Sequence, residues 1–211
     1  MTSRLLAAAL ALSTAMGLGS CVLTTATADQ APLAQPQVVV DFDSYGLRRV
    51  GVVPVIGHEY GEQTNDAIQD ALRAEFAARG RFEVVVLDTE DLSRLEPMRA
   101  WSRGWYRPRT ILELSRRHRL DGLLIGTVTD RQAHPPQRLG LTLDLVASQT
   151  GQTIWSSSVS LDASEERTRR SVEDWAERAV GDVTEASWET LLLSPRRFAR
   201  FAARELARTL P

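Results

Sequence analysis

The chain contains no lysine: all 25 of its basic residues are arginine. That absence removes the Walker A phosphate loop, Schiff-base and pyridoxal chemistry, and the Ser-Lys dyad, each of which needs a side-chain amine. Histidine is scarce too. His58, His118 and His134 stand at none of the short spacings that build a metal site, so neither a metal nor a cofactor is expected. Ser148 and Ser156 to Ser158 lie in no G-x-S-x-G elbow, and no hydrolase triad is visible. Arginines and acids are interspersed at a formal net charge of -2, which argues against nucleic acid as a partner. Beyond residue 21 no apolar run approaches the roughly 20 residues of a membrane-spanning helix.

What is present begins at the N-terminus. Arg4 precedes an apolar stretch from Leu5 to Leu18, too short for a stable span, and small residues follow, which is the layout of a cleaved secretory signal over residues 1–20. The stretch closes on Leu18-Gly19-Ser20-Cys21, which holds the single cysteine. Leu-x-small-Cys resembles the lipobox of bacterial lipoproteins. The resemblance implies that Cys21 is acylated with fatty chains such as palmitate, becomes the first mature residue, and holds the protein on a membrane without a helix. Acylated, Cys21 leaves no thiol for disulfides, metal ligation or nucleophilic attack. Val22 is not the acidic residue that resembles an inner-membrane retention signal, so the outer membrane is expected, with the body in the periplasm. Residues 21–46 read as lipidated cysteine and flexible tether, because Val22 to Gln37 is rich in Thr, Ala, Gln and Pro without apolar periodicity. Fully extended, the stretch to Gln37 reaches roughly 50 Å.

Folded structure is expected from Leu47. Arg49 to Val55 is a nearly continuous β-branched run ended by Pro54, which suits a strand buried on both faces. A helix capped by Thr64 or Asn65 follows, with Ile68, Ala71, Leu72, Phe76 and Arg79 inward, Asp66, Gln69, Asp70 and Arg73 outward, and Gly80 as its left-handed cap. Phe82 to Asp88 is a second strand, completing a βαβ-like start. Thr110-Ile111-Leu112-Glu113 reads as a capping box opening a helix to about His118, and Leu123 to Val128 is a third strand. Leu139, Leu141, Leu143 and Leu145 then alternate with smaller or polar residues. Thr153, Trp155, Ser157, Val159 and Leu161 do the same after a Ser-Gln-Thr-Gly turn, giving an antiparallel hairpin. From Ser164 the period becomes helical: Val172, Trp175, Ala176, Ala179, Val180 and Val183 recur, and Pro195 opens a last helix containing Phe198, Phe201, Ala202, Leu206 and Leu210. The expected fold is α/β (α+β): a mixed sheet with helices packed on it over 47–163, and a C-terminal helical segment over 164–211.

"RRVGVVPV", "RFEVVVLD", "LDGLLIGTVTD" and "LGLTLDLVASQTGQTIWSSSVSLD" together resemble the periplasmic α/β domain shared by several envelope lipoproteins. The group includes the penicillin-binding-protein activators of the LpoB type, the curli secretion lipoprotein CsgG, the N-terminal domain of TolB, and the flagellar proteins FlgO and FlgT. The likeness covers about residues 48–162 and rests on structural motifs. It implies a non-enzymatic binding, scaffold or activator module for an envelope assembly such as peptidoglycan synthesis or a secretion or flagellar complex. The slots 89–108 and 131–138 are too short, arginine-rich or Pro-broken for barrel strands, which disfavours a pore.

Three surfaces are candidates. His58 and Glu59, beside Tyr60 at the carboxyl end of the first strand, form a ligand-binding or hydrolytic alternative. Trp101, Arg103, Trp105, Tyr106 and Arg107 combine the residue types of binding hot spots, and either meet a periplasmic partner or pack their loop onto the domain. Arg196, Arg197, Arg200, Arg204 and Arg208 on the last helix are either a solvated face or a surface for anionic headgroups or an acidic partner. A ring-forming homo-oligomer without a membrane barrel stays open.

Overall fold

The computed structural model describes residues 31–57, 62–93, 101–102, 105–178 and 188–211. In chain order the elements are β1 (Gln35–Val38), a 3-10 turn (Phe42–Tyr45), β2 (Arg49–Val52), β3 (Ile56–Gly57), α1 (Glu62–Ala78), β4 (Glu83–Val86), α2 (Thr89–Ser93), β5 (Trp101–Ser102), β6 (Trp105–Tyr106), α3 (Pro108–His118), β7 (Gly122–Gln132), β8 (Arg138–Ala147), β9 (Thr153–Asp162), α4 (Glu166–Arg178), α5 (Trp188–Leu193) and α6 (Pro195–Ala207). Seven strands form one open mixed sheet in the order β1-β9-β8-β7-β2-β4, with β3 beside β7, while β5 and β6 pair separately.

The parallel half grows from β-branched runs. Val50 and Val52 face one core and Val53 the other, so β2 is buried on both sides as a continuous apolar run requires. It pairs in parallel with β4 and with the first half of β7; Pro54 interrupts the line, and β3 resumes it against Thr127 and Val128. Between β2 and β4, α1 buries Ile68, Ala71, Leu72 and Phe76, while Arg79 is exposed. Gly80 ends the helix region at φ +66, which costs a glycine little. Gln69 departs from the periodic expectation: it is 8% exposed and its amide donates to the carbonyls of Val52 and Leu87. A buried amide is tolerated where backbone acceptors meet it.

The hairpin follows its alternation. Leu139, Leu141, Leu143 and Leu145 stand opposite Leu161, Val159, Ser157 and Trp155, all buried. The register shifts between Leu145 and Val146, so Ile154 joins the core and Thr153 is exposed. One extra residue on one strand is the mark of a bulge, invisible to a strict period of two. Thr142, Asp144, Ser156 and Ser158 line the opposite, more open face.

Helices cover the sheet on two sides. Residues of α1, α4, α5 and α6 share one core with Trp155 and the hairpin leucines, so the C-terminal helices pack on the sheet. Ile111 and Leu114 of α3 share the second core with Leu87, Leu92, Leu123 and Ile125. Trp155 and Trp175 are buried, and Trp188 is partly buried against the same core.

Three further local expectations fail. α1 starts at Glu62, so Thr64 and Asn65 lie inside it and neither is its cap. Residues 31–46 are not tether: β1 pairs antiparallel with β9, Phe42 is buried, and Ala31–Pro211 is one compact unit. Gln35-Pro36-Gln37-Val38 is exposed along its length, and that polarity hides it from a search for apolar strands. No capping box opens α3, because the helix starts two residues earlier with Pro108 at its first position and Thr110 buried.

Asp121 ties three strand ends together. Its carboxylate accepts the N–H groups of Arg48 and Arg49 at 2.9 Å each, its own N–H donates to Arg49, and its carbonyl accepts Ser148 N–H. Asp121→Ala removes two charge-assisted bonds and is expected to cost about 2 kcal/mol in urea unfolding. A loss below about 0.5 kcal/mol would show that water replaces them.

Candidate functional surfaces

The carboxyl ends of parallel strands are where α/β sheets bind ligands. His58, Glu59 and Tyr60 lie outside the described residues. At that end the carbonyls of Val52 and Leu87 are occupied by the Gln69 amide, at 3.2 and 2.9 Å. His118 Nε2 sits 3.2 Å from Asp91 Oδ1, joining the end of α3 to α2. Ser148 is buried with its hydroxyl 2.6 Å from that of Ser115, and Ser157 accepts a bond from Thr209. His134 is exposed ahead of a cis Pro135–Pro136 peptide. Among the described residues no three His, Cys, Asp or Glu side chains cluster to hold a metal.

The aromatic segment forms a minimal ribbon, in which Trp101 pairs with Tyr106 and Ser102 with Trp105 across β5 and β6. Arg103 lies outside the described residues. Arg107 is exposed and occupies the N-cap of α3.

The arginines of α6 separate into two kinds. Arg200 pairs with Glu75 of α1 at 2.9 Å, and Arg204 and Arg208 each place Nη1 3.0 Å from Glu205 Oε1. Those three make internal ties, Arg200 from an exposed position, and Arg196 and Arg197 are exposed. Glu205, 1% exposed, also accepts the Leu33 N–H at 2.8 Å. A sequence search for sites had no reason to single it out, since an acid among arginines reads as surface. Its position on the stripe of Phe198, Ala202 and Leu206, all of them buried, was the available signal.

Where β9 hands over to α4, Asp162 Oδ1 accepts the Ser164 hydroxyl at 2.6 Å and its N–H at 2.8 Å. These bonds, aided by the charge of Arg138, hold the Asp162 carboxyl below its ordinary range. Glu166, one helical turn before Arg169 and Arg170, is lowered by hydrogen bonds from both.

No family model matches the chain, and no curated protein is similar to it. Solved structures of similar fold include PelC of Paraburkholderia phytofirmans, a dodecamer, at 12% identity over 81% of this chain and 97% of that one, with a TM-score of 0.44. Lipoprotein GNA1162 of Neisseria meningitidis matches at 16% identity over 64% of this chain and 98% of its own, with a TM-score of 0.42. The C-terminal domain of Escherichia coli LpoB matches at 19% identity over 54% and 82%, with a TM-score of 0.38. At these identities and scores the likenesses carry no inference about activity or assembly.

Two outcomes follow from the ties described. Glu205→Ala removes a buried acceptor shared by two guanidinium groups and an amide, and is expected to cost about 3 kcal/mol and to speed hydrogen exchange at the Leu33 amide; unchanged protection there would mean that β1 alone holds the segment. The folded Asp162 carboxyl binds its proton more weakly than the unfolded one. Its stabilisation is therefore complete above the ordinary value of 3.8 and lost as pH falls from there through the lower folded value. Asp162→Ala is expected to cost about 1 kcal/mol at pH 7, the net worth of a hydrogen bond at an exposed turn. The gap to wild type should close below pH 3.8, and a gap undiminished in acid would assign the effect to packing.

Proposed function

We propose that this protein is a lipid-anchored, non-enzymatic module of the bacterial cell envelope, which holds or activates a periplasmic partner. One observation carries the reading: the only cysteine of the chain ends the apolar stretch as Leu18-Gly19-Ser20-Cys21, and the compact unit starts at Ala31. Acyl chains on Cys21 would attach the body to the outer membrane by the hydrophobic effect of their buried methylenes. Nine residues, Val22 to Gln30, would join anchor and body, a reach of about 35 Å at full extension.

The partner we infer belongs to an envelope assembly machine, such as a peptidoglycan synthase or a secretion or flagellar complex. Trp101, Arg103, Trp105, Tyr106 and Arg107 are the residues we propose for its docking, because large aromatics and arginine supply much binding energy per residue. This reading leaves His58 and Glu59 without a chemical role.

Labelling of cells with an alkyne analogue of palmitate tests the anchor. The wild type is expected to carry label and sediment with outer membranes, and Cys21→Ser to lose both. A soluble, unlabelled wild type defeats the proposal. For the partner, a discrete envelope protein should cross-link to the wild type and be lost from a Trp105→Ala, Tyr106→Ala double variant.

A further inference from the structure

On α4 and α6 much of the positive charge is paired internally, where Glu166, Glu75 and Glu205 meet Arg169, Arg170, Arg200, Arg204 and Arg208. On α3 it is not. Residues 108–119 hold four arginines against one glutamate in a chain whose formal net charge is -2. Ile111, Leu114 and Ser115 turn inward, while Arg109, Leu112, Arg116 and Arg117 are exposed, as is Arg119 at the left-handed C-cap. Arg117 has Glu113 at 4.0 Å, the limit of an ion pair. Arg109, Arg116 and Arg119 have no ion pair among the described residues. The spacing of Arg109, Leu112 and Arg116, three and then four residues, sets them in one stripe with a leucine, 40% exposed, between two guanidinium groups.

We infer that this face of α3 lies against the anionic phospholipid headgroups of the membrane that carries the anchor; the inference rests on the lipid-anchor reading. Guanidinium groups bind phosphate through paired N–H bonds, which matches the stripe's charge to a phospholipid leaflet. Each arginine near such a surface contributes about 1 kcal/mol, and an exposed leucine between them can enter the headgroup layer. The chain enters the body at Leu33, beside α6 and on the sheet face opposite α3, so this docking draws the nine-residue link of about 35 Å taut around the edge of the sheet. A lipid anchor beside a basic patch is the two-signal arrangement that makes membrane binding firm.

The test uses the acylated full chain with Leu112→Cys, whose new thiol is free to take an environment-sensitive fluorophore while Cys21 is acylated. It is reconstituted on vesicles of phosphatidylcholine alone or with about one third phosphatidylglycerol. Flotation with both kinds of vesicle reports the anchor. A shift of the fluorophore to an apolar spectrum on the anionic vesicles alone, reversed by high salt, is the expected result. Arg109→Ala and Arg116→Ala should each lower the docked-to-undocked ratio about fivefold, the ratio that about 1 kcal/mol corresponds to. Arg196→Ala with Arg197→Ala on α6 should leave it unchanged. Flotation with both vesicles and a water-like spectrum on both overturns the inference while sparing the anchor. Failure to float with either overturns the anchor, and the inference falls with it. A spectral shift seen only in native membranes, and lost after mild proteolysis of their proteins, reassigns the face to an acidic protein and also overturns it.

Discussion

The Glu205 carboxylate is the constraint on which the two ends of this chain depend. A carboxyl group at 1% exposure is tolerable only with donors around it, and here Arg204, Arg208 and the Leu33 amide supply them. Those donors come from opposite termini, so α6 cannot seat properly unless the first folded residues arrive beside it. Immediately beyond, Thr209 accepts the Trp155 indole N–H through its carbonyl and donates its hydroxyl to Ser157. Trp155 in turn meets Phe76 edge-on at 5.8 Å between ring centroids. One polar knot and one aromatic contact thus join β1, β9, α1 and α6.

The sheet divides the molecule unequally. One face is roofed by α1, α4, α5 and α6 over the hairpin leucines, and the other is covered by α3 over the parallel strands. The helices differ in where their charge goes. On the first face Arg169, Arg170, Arg200, Arg204 and Arg208 meet acids, whereas α3 buries Ile111 and Leu114 and leaves Arg109, Arg116 and Arg119 exposed without an ion pair among the described residues. That difference cannot be read from arginine counts, because it depends on which acids the tertiary structure brings within reach.

The parallel strands, the hairpin, the inward face of α1 and the last helix were legible because apolar periodicity survives folding. Less was legible where a residue's role depends on a distant partner. Gln69 looked like surface because its acceptors, Val52 and Leu87, become neighbours only when α1 crosses between β2 and β4. β1 looked like linker because an edge strand needs only backbone bonds, which polar residues supply as well as apolar ones. Of the α6 arginines, Arg196, Arg197 and Arg200 are exposed as a solvated face requires, while Arg204 and Arg208 turn toward Glu205, a partner whose burial only the tertiary structure reveals. The stripe on α3 was missed because its helix was placed two residues late and its arginines were not taken as a group.

The position of Leu33 has a mechanical consequence. Tension applied to the chain ahead of residue 31 would enter the body here. Any pull arriving along the chain from residue 30 meets the Leu33–Glu205 bond before it reaches the ladder between β1 and β9. Load enters through α6 and the core beneath it, and the edge strand is spared from being peeled off one bond at a time.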